Sequence, residues 1–347
     1  MKNVMTSICL TLILAVALPQ ICLAEFPDSA DVGLIRMAQA YTFNEKYILA
    51  QNLLENLDHK YPDHPCGTFF KAAALLAEMS DREHFENDKY FDSLIKQTIS
   101  RADKLRDSNP NSAWAYYFMG MANFYQALQD TRKGKKFSVL KKGVRGKNLL
   151  NKALDLDSTL YEACFGLGNY HYWGSVKTRG LEWMPFVGDN RLQGIAGLHQ
   201  AANSSLFSGD LARSALIRVY YNEHQIDSAE ALVKNMILKF PNSKSLLWAR
   251  AEGHFINDNY IPALIYYGEL EQKIAVENTG NNYNSLQIAY QKILCHYRIE
   301  QYLQALMESE RALNLPLSEK VRKRHKNNLK EIRKIKEKIQ KRLSKEK

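Results

Sequence analysis

Two helices and a stop are written into 211-LARSALIRVYYNEHQIDSAEALVKNMILKFPNS-243. Leu216 and Tyr220 stand four apart, Asn222-Glu223-His224 interrupts, and Ile226, Ala229, Val233 and Met236 then recur at steps of three and four. Such spacing puts apolar side chains on one face of a helix. Phe240-Pro241 ends the second helix, because proline cannot continue it and restrains the residue before it. Ile226 and Ala229 are matched 34 residues later by Tyr260 and Ala263, again behind a polar run, Asn257-Asp258-Asn259. A period of this length marks stacked helical hairpins, each too small to bury its apolar face alone.

The same pattern runs outward through the chain. Tyr61-Pro62, Asn109-Pro110 and Leu315-Pro316 also close helical stretches, and strand signals are nearly absent, so the fold class is all-α. An early unit offers Leu34, Met37, Ala38 and Tyr41, then Ala50, Leu54 and Leu57, then Pro62. Seven degenerate units fit between about Ala30 and Leu317. Small residues such as Ala229 and Ala263 belong where two helices cross, since a larger side chain would push the axes beyond the roughly 8–10 Å of close packing.

The 211–243 stretch resembles a tetratricopeptide unit over its whole length. The resemblance implies a tetratricopeptide-type solenoid, a right-handed superhelix with a concave and a convex surface, and a scaffold that binds peptides or protein partners. In that family the small residue of the first helix precedes that of the second by about twelve positions. From Gly168 the next match to the second-helix signature is Gly194, with Leu198 and Ala201, so this unit carries fourteen extra residues. The unit from Gly120 to Gly146, with Leu150 and Ala153, carries the same surplus. There the extra residues are charged and lack proline, which predicts both helices longer by about two turns. Gly174, Gly180 and Pro185 forbid that in the later unit, so an aromatic insertion is expected at 174–187, with Asp189 as N-cap of the following helix. The segment G-x-G-x-Y-x-Y-W-x-S followed by W-x-P-F-x-G-D-x-R-x-x-G, within 166–194, resembles secreted bacterial tetratricopeptide proteins and, more distantly, the tetratricopeptide repeat protein 39 family.

Residues 1–24 have a lysine, an apolar run from Ile8 to Leu18 and small residues at the cleavage positions, which predicts a secretory signal peptide cut before Glu25 and a periplasmic or otherwise extracytoplasmic protein. The run is short for a span of ~20 residues. Residues 25–317 form the expected solenoid. Cys66, Cys164 and Cys295 then remain, an odd number set among apolar residues, and are expected to be buried thiols rather than a disulfide framework.

The net charge of +10 is carried entirely by residues 318–347, which hold 14 Lys or Arg against 4 Glu. This confines the basic character to one terminal helix and argues against nucleic acid as a partner. Leu329, Ile332, Ile335, Ile339 and Leu343 form one apolar stripe there, predicting a capping helix with a basic outer face. A second cluster, 132-RKGKKFSVLKKGVRGK-147, has eight Lys or Arg and no acid. It reads as a solvated helix face or as weak, salt-sensitive attraction to an anionic membrane surface or an acidic partner. Its glycines lack the spacing of a phosphate-binding loop.

Catalytic chemistry finds little support. His171 has no carboxylate or second His three or four residues away, His59 and His64 flank Pro62 at a spacing unsuited to one helical face, and Ser175 and Ser204 sit in no nucleophile context. No catalytic residue, cofactor or metal is expected. The leading function is a non-catalytic extracytoplasmic scaffold for a protein or peptide partner. Its candidate partner-binding residues are Trp183, Met184 and Phe186 of the insertion, with Tyr170, Trp173, Trp114 and Tyr117; Gly168, Gly194, Ala229 and Ala263 are helix-packing positions. Trp114, Tyr117, Met121 and Tyr125 form one stripe, and Trp248, Tyr266 and Tyr267 gather further on. The alternative is a solute-capture component of an uptake system, with a ligand cavity closed by the insertion. An aromatic-lined hole through the superhelix favours capture and an open groove favours the scaffold. The apolar insertion is expected either as an internal plug or as a docking element.

Overall fold

A computed structural model describes residues 26–178, 188–277 and 282–345. The leader at 1–24 and most of the insertion, with Trp183, Met184 and Phe186, lie outside them. Every regular element among the described residues is a helix: α1 (Ser29–Phe43), α2 (Tyr47–Lys60), α3 (Cys66–Asp81), α4 (Asp88–Ser108), α5 (Ala113–Arg132), α6 (Lys136–Leu156), α7 (Glu162–Lys177) and α8 (Arg191–Ser204). The second half continues with α9 (Gly209–Asn222), α10 (Ile226–Lys239), α11 (Lys244–Ile256), α12 (Tyr260–Glu277), α13 (Tyr283–Arg298), α14 (Tyr302–Leu313), α15 (Glu319–Arg324) and α16 (Lys326–Leu343). Consecutive helices pack in pairs, and from α1 to α11 each odd helix also touches the next odd one. The chain is therefore a row of helical hairpins with the odd helices as its inner layer.

One turn recurs along the row. Glu45, Glu83, Gly134, His224, Asp258 and Glu300 all have positive φ, between 50° and 71°, and each follows the end of an odd helix. The next residue donates its N–H to the carbonyl five positions back, as Lys46 does to Tyr41 (2.8 Å), Gln225 to Tyr220 (2.8 Å) and Gln301 to His296 (2.9 Å). These are Schellman caps, which satisfy end carbonyls and reverse the chain, normally with glycine at the left-handed position. Only Gly134 follows that preference. The other five hold the strained backbone with a side chain attached.

Glycines set the closest crossings. A Cβ on Gly120 would stand 3.1 Å from the Gly146 carbonyl oxygen, and one on Gly168 would stand 2.9 Å from that of Gly194. α5 and α6 run 20 and 21 residues where α9 and α10 run 14 each. Ala229 and Ala263 are fully buried in α10 and α12. Met37, one of the apolar residues of the early unit, instead faces solvent.

Three local expectations change. Helix α7 continues through Gly174 to Lys177, so the first four residues assigned to the insertion at 174–187 are helical. The N-cap of α8 is Asn190, not Asp189; Asp189 stands one residue earlier and accepts from the Arg191 N–H at 3.0 Å. The tail is two helices, because the chain turns at His325, whose buried ring lies 4.1 Å from that of Tyr283. Leu329, Ile332, Ile335 and Ile339 of α16 pack on Leu286, Ala289 and Ile293 of α13 and Ala305 and Ala312 of α14. Cys66 and Cys295 are buried and Cys164 is half-buried, all three as free thiols. Burial pushes the Cys295 thiol up to about 12. Among the described residues no helix is long and apolar enough to cross a membrane.

Candidate functional site

The hairpin row curves until its two halves meet. The turn after α1 docks on the α10–α11 corner: the Asn242 N–H donates to Asn44 Oδ1 (3.3 Å), the Lys244 N–H donates to Glu45 Oε1 (2.7 Å), and Lys244 Nζ donates to Glu45 Oε2 (2.5 Å). Phe43 stacks on Phe240 with ring centroids 4.5 Å apart. The end of α3 docks further along, where Asn284 Nδ2 donates to the Asp81 carbonyl (2.8 Å) and Arg324 pairs with Glu83 (2.6 Å). Arg36 Nε reaches the Leu206 carbonyl at 2.6 Å. Glu45 and Glu83, two of the left-handed turn residues, thus both hold the halves together.

The closed row surrounds a cavity of about 610 Å³, to which α1, α3, α5, α7, α9, α11 and α13 all contribute. That volume falls within the ~300–1,000 Å³ of small-molecule sites. One wall is apolar and aromatic, built from Phe69, Phe70, Ala73 and Ala77 of α3 and Tyr117, Met121 and Tyr125 of α5, with Phe207 beside them. The rings interlock: Phe69 stacks on Tyr125 at 5.4 Å and meets Tyr117 edge-on, while Phe207 meets Phe70 edge-on at 5.1 Å. Polar groups also line the cavity, among them Glu45, Asp81, Arg218, Ser245, Glu252 and Asn284, together with Trp248. Its charges are engaged with one another: Arg218 pairs with Glu252 at 3.0 Å, and the buried Lys244 lies between Glu45 and Asp81. Burial, and then the neighbouring Asp81, raise Glu45 to about 7 against the pull of Lys244.

Of the partner-binding candidates among the described residues, only Tyr117 reaches this cavity. Trp114 packs in the core against Phe26, Tyr117 and Phe207. Tyr170 stacks on Phe124 at 5.8 Å, between α7 and α5. Trp173 lies edge-on to Tyr172 and borders a smaller depression of about 300 Å³ beside Arg218 and Asn222. Trp183, Met184 and Phe186 lie outside the described residues. Met121, Tyr125 and Trp248 do line the cavity. Sequence reading missed Phe69, Phe70 and Phe207, and it missed the closing residues Glu45, Asp81 and Lys244. A lysine as first residue of a helix, right after a proline stop, is the available signal for the last.

The Gly-Asp-x-Arg run at 188–191 makes a structural joint. Arg191 pairs with Asp189 (2.8 Å) and Glu223 (3.1 Å), and Glu223 also accepts from the Tyr172 hydroxyl at 2.7 Å. This ties the start of α8 to the turn after α9. The Asn190 N–H donates to Ser175 Oγ at 2.8 Å, clamping the base of the insertion. Among the described residues no three His, Cys, Asp or Glu side chains are grouped to hold a metal ion. No protein-family model matches the chain, and no curated protein matches it.

Proposed function

We propose that this chain is a non-catalytic, extracytoplasmic ligand-capture protein of tetratricopeptide type, with seven repeats wound as a right-handed superhelix whose bore holds the ligand. The observation that carries the reading is the partly enclosed, aromatic-lined cavity to which seven helices contribute: a concave, mostly apolar site of this volume suits a compact solute. Phe69, Tyr117 and Tyr125 supply rigid apolar surface that loses little side-chain entropy on binding. The polar part of the lining supplies the oriented groups that fix one end. The ligand class is accordingly an apolar or aromatic organic molecule with a hydrogen-bonding end. The charged groups of the cavity are paired, Arg218 with Glu252 and Lys244 with Glu45 and Asp81, which leaves the neutral polar groups of the lining for the ligand.

The scaffold reading for a protein or peptide partner keeps one observation in its favour. Ile261 and Ile265 of α12, and Leu303 and Met307 of α14, are exposed pairs four residues apart. The two readings separate on extraction of the purified chain into organic solvent and mass spectrometry of what is released. Capture predicts a bound small molecule that disappears when Ala73→Phe with Ala77→Phe fills the cavity without lowering the melting temperature. Recovery of the same material from the filled variant, or of none from either, favours the scaffold.

A further inference from the structure

The outer face of α6 is the least expected surface of the molecule. Gly146, Leu150 and Ala153 are its buried face. On the opposite side Phe137, Leu140 and Val144 are 92%, 66% and 40% exposed. Spaced three and four apart, they form one line along the helix. Leu128, near the end of α5, is also exposed. A soluble surface seldom leaves such large apolar groups together in water.

Cations border the line on both sides. At about 100° per residue, Lys141 and Arg145 fall on one flank of the stripe and Lys136 and Lys147 on the other. None of these four makes an ion pair among the described residues, although Lys142 pairs with Asp130 at 2.6 Å. No acidic residue occurs from Thr131 to Leu154. The basic tail begins at the same edge: the guanidinium of Arg132, last residue of α5, and that of Arg324, last of α15, both lie over the Phe85 ring, at 3.7 and 5.6 Å. Arg132 is held there by Asp88 and Arg324 by Glu83, so among the described residues the unpaired cations beside the apolar line are those of α6 itself.

We infer that this face docks on an anionic lipid bilayer, with Phe137, Leu140 and Val144 entering the boundary between headgroups and acyl chains while the flanking cations contact the headgroups. An apolar line between two cationic rows on a convex helix is the arrangement by which amphipathic helices lie in a membrane surface. A second copy of the chain fits poorly, because a two-fold contact would set the same cations against each other. An acidic protein would satisfy the cations but would need a groove or knob to engage the apolar line, and one straight helix face offers neither.

The test is vesicle sedimentation of a chain beginning at Glu25, which keeps every described residue. Vesicles of phosphatidylcholine containing about a third phosphatidylglycerol are compared with phosphatidylcholine alone. The chain is expected to bind the anionic vesicles. Phe137→Ser with Leu140→Ser is expected to weaken that binding about tenfold or more. Lys141→Gln with Arg145→Gln is expected to weaken it as well, and melting is unchanged in both because none of these side chains is buried. Failure to bind anionic vesicles, equal binding to neutral ones, or binding indifferent to the Phe137 and Leu140 changes would overturn the inference. Capture by poly-glutamate with the same dependence on Phe137, or a dimer that dissolves on the serine changes, would overturn it in favour of an acidic protein or a second copy.

Discussion

Glu45 grips Lys244 across 199 residues of chain, with one carboxylate oxygen on the backbone N–H at 2.7 Å and the other on Nζ at 2.5 Å. The lysine side chain is only 1% exposed, and Asp81 holds it from the other side at 3.0 Å. This contact closes the cavity between the first hairpin and α11. Replacing Lys244→Met removes the buried ammonium that Glu45 and Asp81 share. Breaking a buried pair by removing one partner costs about 3 kcal/mol or more. Urea unfolding is expected to show a loss of that size together with a more accessible cavity; an unchanged midpoint would mean that the halves close without this contact.

Glu45 also predicts how stability follows pH. Its carboxyl is raised from 4.5 to about 7 by burial and by Asp81, so the folded chain holds this proton more tightly than the unfolded one. The contribution is therefore fully present below 4.5 and is lost as pH rises to about 7. Glu45→Gln cannot titrate, and the unfolding midpoint of this variant should decline less steeply across that window than that of the native chain, in which burial also raises Glu83 and Glu162. Parallel curves for the two proteins would remove Glu45 as a source of the decline.

At Gly194 an added Cβ would stand 2.6 Å from the Tyr172 backbone nitrogen, which cannot retreat without moving α7. Gly194→Ala should separate α7 from α8 at a cost of about 1–3 kcal/mol. Gly174→Ala, where nothing lies within 4 Å, serves as the control and should cost nothing measurable.

Glu300 occupies a left-handed turn with φ of 61° and is exposed. A side chain in that conformation costs about 1–2 kcal/mol, partly offset in glycine by its freer unfolded state. Glu300→Gly is expected to stabilise the chain by about 0.5–1 kcal/mol. A lowered melting temperature would show that the glutamate makes a compensating contact.

Ending the chain after Pro316 would bare Leu286, Ala289 and Ile293, which α16 covers. Lower solubility and an earlier thermal transition should follow. Lys→Gln changes at exposed Lys330 and Lys334 should leave both unaltered.

Local patterns in the sequence carried most of the secondary structure. Helical spacing and proline stops act within a few residues, so the hairpins around Ala229 and Ala263 could be read directly. The break at His325 could not, since neither proline nor glycine marks it and the stripe from Leu329 onward begins just beyond. The stripe of Tyr117, Met121 and Tyr125 was legible as an aromatic face; its opening onto a cavity was not. That depends on the row curving far enough for Glu45 to meet Lys244, a property of summed small rotations between hairpins rather than of any local motif. The turn residues were obscured for a different reason: glycine announces a left-handed position, and glutamate at 45, 83 and 300 does not.

Ligand capture in the bore is tested most directly by energy transfer from Trp248, which lines the cavity, to a neutral apolar naphthylamine dye. Saturable transfer at one dye per chain is predicted, reduced in Trp248→Phe, where Trp114 beside Tyr117 and Phe207 remains as a donor, and prevented by Ala73→Phe with Ala77→Phe at unchanged melting temperature. Dye binding that survives the filled cavity, or no saturable binding in the native chain, would contradict the account.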